Sequence, residues 1–285
     1  MNSYLFEYSC RNTKLYSLLI SLFCLINLLL IFPDYIYIYV DNSYIPAKYN
    51  GFYIPKYYLN FSHITELTQT IGVSSKATIL VLLSLYFFSL ISIILDFYKF
   101  IFAIAALLLH TMMINSSNIF SYGADFFVNF ALFLNVFFSY SGKNNIILKS
   151  FIQRLTQIHL CIIYFFAGLG KLFGVDWING SAFWKISHLY FAEHISFKNL
   201  PSVFYLFSSL FVVSLQTSYS VLINIKQTRV FTFYCIIILH LMIAITMQFY
   251  TFGTVMILLN YIAWGNYINI DFTLLKKYRL NDNKH

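Results

Sequence analysis

The chain has 285 residues, of which 60% are hydrophobic, 21% aromatic and only 10% charged, where soluble domains carry about 25% charged residues. This excludes an ordinary soluble fold and predicts an all-α, polytopic integral membrane protein, because several stretches reach the roughly 20 apolar residues that cross a bilayer core and leave no room for a sizeable soluble domain. The net charge of +8 is spread over short loops and tails, which argues for membrane topology and against a nucleic-acid surface.

Arg11 and Lys14 precede a first apolar run at 15–32, which ends in Phe32-Pro33-Asp34 instead of a small-residue cleavage site, so it reads as a retained span and not as a signal peptide. Residues 33–76 form the longest non-membrane piece. Within it, Tyr35 to Tyr39 alternates like a strand, and the echo Tyr44-Ile-Pro against Tyr53-Ile-Pro around Asn50-Gly51 is a hairpin signal limited by Pro46 and Pro55. An aromatic interfacial loop is the reading that composition favours, with a lid over a site as the other.

Further spans are expected at about 77–95, 101–114 and 126–140. The second of these is short for a crossing and carries His110, to which no role is assigned. Asp125 stands where it would cap a helix starting at Phe126. After a turn at 142–145 comes a long helix at 146–173, on which Gln153, Gln157, Cys161, Tyr164, Gly168 and Lys171 share one face at steps of three or four. Such a polar, small face belongs inside a bundle, with Gly168 and its neighbours Ala167 and Gly170 open to close helix contact.

Residues 181–199 are too polar to span and too apolar to be free, and read as an amphipathic interfacial helix. Spans then follow at 200–222, with Ser209, Gln216 and Ser220 facing inward, at 230–249 with His240 near its middle, and at about 251–270, which brings the total to about eight. A basic tail occupies 271–285. Cys10, Cys24, Cys161 and Cys235 are widely separated without CxxC spacing, so free thiols are expected and neither a zinc site nor a disulfide scaffold.

With the N-terminus inside and eight spans, Arg11, Lys14, Lys99, Lys143, Lys149, Arg154, Lys226, Arg229 and the tail cations all fall on the cytoplasmic side. Lys48, Lys56, Lys76, Lys171, Lys185 and Lys198 remain for the outer side. This places both termini in the cytoplasm of a multi-pass protein whose setting is read as a bacterial cytoplasmic membrane. Lys171, the aromatic loop and the interfacial helix then share the non-cytoplasmic face.

The stretch 164–180, YFFAGLGKLFGVDWING, carries the chemistry. An amine placed before an apolar run has ended must snorkel, find a partner or serve a function, so Lys171 is either an interfacial snorkelling lysine or a candidate base. Asp176 and Trp177 form an interfacial turn with an aromatic anchor, or Asp176 pairs with Lys171 or meets substrate. His240 is a satisfied interhelical hydrogen-bonding group or a partner in proton transfer. No nucleotide-binding motif is present, and the spans lack the regular charge of an ion pump.

The 164–180 motif, with Tyr122-Gly-Ala-Asp125 and the block from Gln216 through Thr228-Arg229 to His240, Phe249 and Phe252, resembles the membrane domain of the vitamin K-dependent gamma-carboxylases and their bacterial relatives, the horizontally transferred transmembrane (HTTM) family. In size the chain is most similar to short stand-alone bacterial members, among them the membrane protein of the sporulation-delaying toxin system, required to make an active secreted peptide toxin. The resemblance implies that Lys171 acts as a base, that a reduced quinone serves as cofactor if the chemistry is carboxylase-like, and that partners include a secreted peptide precursor and companion membrane proteins besides the bilayer. Two positions depart from the carboxylase pattern. Asn118 stands where those enzymes have an assisting histidine, and Gln216 where many relatives have glutamate. A short tail also follows the last span, in place of their large lumenal region. The function expected from all this is maturation or handling of an exported, toxin-like peptide, with a non-catalytic scaffold and a quinone-dependent carboxylase as the other readings.

Overall fold

The computed structural model describes residues 13–40, 55, 57–116, 121–140, 145–189 and 199–268. Among them every regular element is helical, and seven helical stretches are long and apolar enough to cross a membrane. The chain is an all-α, multi-pass membrane protein. Helix is the span expected here, because in hydrocarbon each backbone N–H and C=O must be satisfied within its own segment.

The first span runs through α1 (Thr13–Ile31), a 3-10 turn at Phe32–Asp34 and α2 (Tyr35–Tyr39). The strand expected at 35–39 is therefore a helix. Tyr35 and Tyr39 fall four apart on one buried face while Tyr37 is exposed, and Tyr39 meets the ring of Phe61 edge-on at 5.3 Å, so a helical period of contacts overrides the alternating pattern. α3 (Phe61–Gln69) begins on Asn60, whose side chain accepts the His63 N–H. The described part of residues 33–76 thus contains two short helices, and the hairpin expected at 44–57 lies outside the described residues except Pro55 and Tyr57.

α4 (Ser75–Ile94), α5 (Lys99–Ser116) and α6 (Gly123–Tyr140) follow. α5 is longer than its apolar run because both polar ends are partnered. Lys99 lies 3.3 Å from Asp96, while the Ser116 hydroxyl accepts the Phe61 N–H and donates to the Met112 carbonyl. α6 starts three residues before Phe126. Asp125 is consequently in its first turn, where the carboxylate reaches back to accept the Tyr122 N–H at 2.8 Å, the return arm of a capping box instead of the cap itself.

α7 (Ile146–Leu172) is the longest helix, begun by the Asn145 side chain accepting the Leu148 N–H. Two short helices, α8 (Val175–Ile178) and α9 (Ser181–Ser187), lead to α10 (Ser202–Leu222), α11 (Lys226–Thr246) and α12 (Tyr250–Trp264). The expected interfacial helix is helical at Ser181–Ser187, and residues 190–198 lie outside the described set, as do the turn at 141–144 and the basic tail.

α12, at 15 residues, is shorter than the span expected at 251–270, and it is continued by a 3-10 turn at Gly265–Tyr267. It can be short because it sits inside the bundle, against α1, α6, α7 and α11, with an unbroken buried run from Leu258 to Trp264. Around it the apolar core joins residues of α1, α4 to α7 and α10 to α12. Helix association in lipid relies on close packing and interhelical hydrogen bonds. α7 and α10 meet at Gly168, where an added Cβ would lie 2.5 Å from the Thr217 backbone nitrogen. Gly170, by contrast, faces open space, so only one of the two glycines has the expected close neighbour.

Candidate functional site

The inner face of α7 is the stripe expected from its spacing: Gln153, Gln157, Tyr164 and Gly168 are buried, with Cys161 and Lys171 at its margins. Gln153 and Gln157 both donate to the Ala263 carbonyl, at 3.0 and 2.7 Å, near the end of α12 where helix carbonyls run out of internal partners. Gln157 also accepts from Arg154 at 2.7 Å. Its place is in this structural knot, about four helical turns from Lys171, and it does not line the cavity described next.

At the other end of α7 a cavity of ≈ 170 Å³ lies among α7 to α12, walled by Tyr164, Ala167, Lys171, Trp177, Phe183, Val212, Gln216, His240, Phe252 and Met256 with Ser187, Thr246 and further aliphatic groups. Five residues singled out by sequence, Tyr164, Lys171, Trp177, Gln216 and His240, are brought together here from three long helices and one short one. Among the described residues no acidic side chain lines the cavity.

Two of the lining residues, Tyr164 and His240, end a buried chain of hydrogen bonds. The Tyr219 hydroxyl donates to Asn260 Oδ1 at 2.8 Å, and Asn260 Nδ2 donates both to the Met256 carbonyl and, at 2.7 Å, to the Tyr164 hydroxyl. The Met256 carbonyl can only accept, which fixes the amide orientation. Tyr164, having accepted from Asn260, gives its own hydrogen to His240 Nε2 at 2.7 Å. This polarity assigns the proton of a neutral His240 ring to Nδ1. His240 is 1% exposed, and its Nδ1 has no partner. Gln216, 5% exposed, likewise has an unpartnered Oε1. An orphaned buried donor and an orphaned buried acceptor therefore line one cavity, a situation that is costly unless a ligand or water completes it.

Lys171 reaches the cavity from the last turn of α7. Its Nζ lies 3.3 Å from the Ala167 carbonyl and 5.2 Å from the centroid of the Trp177 ring, a cation–π contact that holds an ammonium without a counter-ion. Among the described residues no carboxylate lies within ion-pair distance of it. Asp176 does not pair with Lys171. Its Oδ2 lies 2.6 Å from Lys185 Nζ and its Oδ1 accepts the Ser181 hydroxyl at 2.7 Å, and these two donors, Lys185 first, hold the exposed carboxyl below the ordinary range. The contact ties α8 to α9. It sits beside Gly180, whose φ of +83° turns the chain and whose missing Cβ lets the Leu206 backbone approach.

Asp125 is engaged at the start of α6 as described, and Asn118 lies outside the described residues. The residues that sequence reasoning missed are Asn260 and Tyr219. A lone asparagine in the otherwise apolar run of α12 was the available signal, since an amide at that depth needs interhelical partners. Comparison with known proteins gives no match: no family model, curated protein or solved structure aligns with this chain. The class defined by the fold is thus an all-α polytopic membrane protein with an apolar cavity that carries one lysine and two unsatisfied polar groups.

Proposed function

We propose that this protein matures or handles an exported peptide at the cavity around Lys171. The observation that carries the reading is an amine with no carboxylate partner among the described residues, at the rim of an apolar cavity, beside an unpartnered His240 Nδ1 and an unpartnered Gln216 Oε1. In such a site a neutral Lys171 can take a proton from a substrate, becoming the ammonium that Trp177 supports, while His240 Nδ1–H donates to a substrate oxygen. The Tyr219–Asn260–Tyr164 chain keeps the imidazole in that tautomer. The excess of basic residues at the opposite end of the helices supports an outward-facing cavity in a bacterial cytoplasmic membrane. The test replaces Lys171 by Ala, Arg and Met and measures active peptide exported from cells that hold equal amounts of each variant in the membrane. Loss in all three supports the reading, and full activity in all three overturns it.

A non-catalytic scaffold for a toxin or secretion system is the second reading. It is favoured by how much of the 164–180 stretch is accounted for by packing: Gly168 against Thr217, Gly180 against Leu206, and Asp176 with Lys185. The third, a quinone-dependent carboxylase-like oxidoreductase, follows from the HTTM resemblance. The cavity lining fits a flat quinol, with Trp177, Phe183 and Phe252 as aromatic walls and Lys171, His240 and Gln216 as polar contacts for ring oxygens. A reduced quinone would supply the reducing equivalents for such chemistry, and carbon dioxide incorporation dependent on it is the measurement that identifies this reading.

A further inference from the structure

His159 stands at the midpoint of α7, which at ~1.5 Å per residue puts it about 20 Å from either end of the helix and deep in the hydrocarbon. It is half-buried, on the outer face of α7 with the exposed Ile162 and Phe166 at steps of three and four. Its ring lies against that of Phe130 in α6, with centroids 4.0 Å apart. Neither ring nitrogen has a hydrogen-bond partner among the described residues.

A second polar group flanks the same phenylalanine. Asn129, next to Phe130 in α6, is also half-buried. The Thr111 hydroxyl of α5 shares its hydrogen between the Leu107 carbonyl at 2.8 Å and Asn129 Oδ1 at 3.0 Å, and Asn129 Nδ2 has no acceptor among the described residues. The exposed rings of Phe126 and Phe133 continue this face of α6. An amide and an imidazole open to lipid at this depth forfeit hydrogen bonds that acyl chains cannot replace, and both side chains are too short to snorkel.

What covers this face therefore brings polar groups of its own. The face already holds both halves of a pair, because Asn129 Nδ2 is a donor and the unprotonated nitrogen of a neutral His159 ring is an acceptor. A surface that carries both halves is complementary to itself about a two-fold axis. We infer that the outer face of α6 and α7 is an interface between two copies of this chain, in which Asn129 of each donates to His159 of the partner subunit and Phe126, Phe133, Ile162 and Phe166 pack around the two pairs. Interhelical hydrogen bonds and close packing are what hold helices together in lipid.

The full-length protein, carrying one fluorophore per chain in phosphatidylcholine liposomes and counted by single-molecule photobleaching, tests the inference. The unaltered chain should pass from monomer to dimer as the protein-to-lipid ratio rises. His159→Leu, which leaves the face apolar, should weaken dimerisation about tenfold, the scale of two interhelical hydrogen bonds lost together. Asn129→Leu should do the same, and the double variant should be no weaker than either single one, because each change already breaks both pairs. His159→Leu decides the matter by itself if Asn129→Leu, which also loses Thr111, does not fold. A chain that stays monomeric at every ratio, a His159→Leu dimer as tight as the unaltered one, additive losses in the double variant, or association only with a different membrane protein would each overturn the inference.

Discussion

The Tyr164 hydroxyl and His240 Nε2, from helices α7 and α11, stand 2.7 Å apart. Because Tyr164 also accepts from Asn260, its own hydrogen is committed to the imidazole, and the histidine is left with a buried Nδ1 that has no partner. Tyr164→Phe removes both bonds while keeping the ring. It should cost about 1 kcal/mol of stability, the scale of interhelical hydrogen bonds in membranes, measured as a lower unfolding temperature in detergent. Asn260→Ala, which also leaves the Tyr219 hydroxyl without its acceptor, should cost more.

Gly168 and Gly170 are two residues apart in the same helix and should respond oppositely to the same change. Gly168→Ala drives a Cβ into the Thr217 backbone and should destabilise by about 1–3 kcal/mol, the range for overpacking. Gly170→Ala meets nothing within 4 Å, and should be neutral or stabilising by up to about 1 kcal/mol through helix propensity. Thermal unfolding of both variants, side by side, is the check.

The Asp176–Lys185 contact predicts an acid-side pH dependence. The Asp176 carboxyl is held below its ordinary range in the folded protein, so its contribution is fully present above the unfolded value, about pH 4, and is lost as pH falls through the lower folded value. Asp176→Asn should flatten that part of the stability profile, because it removes the small contribution present at neutral pH and changes nothing below the folded value. The pair is exposed, so added salt should weaken the effect.

Gln216 separates stability from function. Its buried Oε1 has no partner, so Gln216→Leu should be neutral or stabilising by about 1 kcal/mol while peptide export falls. A variant that is both less stable and fully active would show that the amide serves packing and not the cavity.

Much of this architecture was legible in the chain itself. The spans, the polar face of α7 and the place of Lys171 follow from apolar run length and a 3.6-residue period, both of which are local properties. The helix at Tyr35–Tyr39 was not, because five alternating residues fit either period and only contact with α3 decides between them. For Asp176 the sequence offers an interfacial turn or a pair with Lys171, five residues away, whereas its partner is Lys185, nine residues on and across the turn at Gly180. Such a turn depends on one positive φ, which composition does not reveal. The convergence of Tyr164, Gln216, His240 and Asn260 is long-range packing, visible in sequence only as isolated polar residues in apolar runs.

Lys171 gives the most direct test of the account. Export of active peptide should be measured in cells carrying Lys171→Ala, Lys171→Arg or Lys171→Met, with membrane levels of each variant matched to the unaltered protein. The account predicts that all three fold and that activity falls by about 100-fold or more, the lower scale of a lost general base. Full activity in all three would contradict it, and would leave the cavity around Lys171 as a feature of packing.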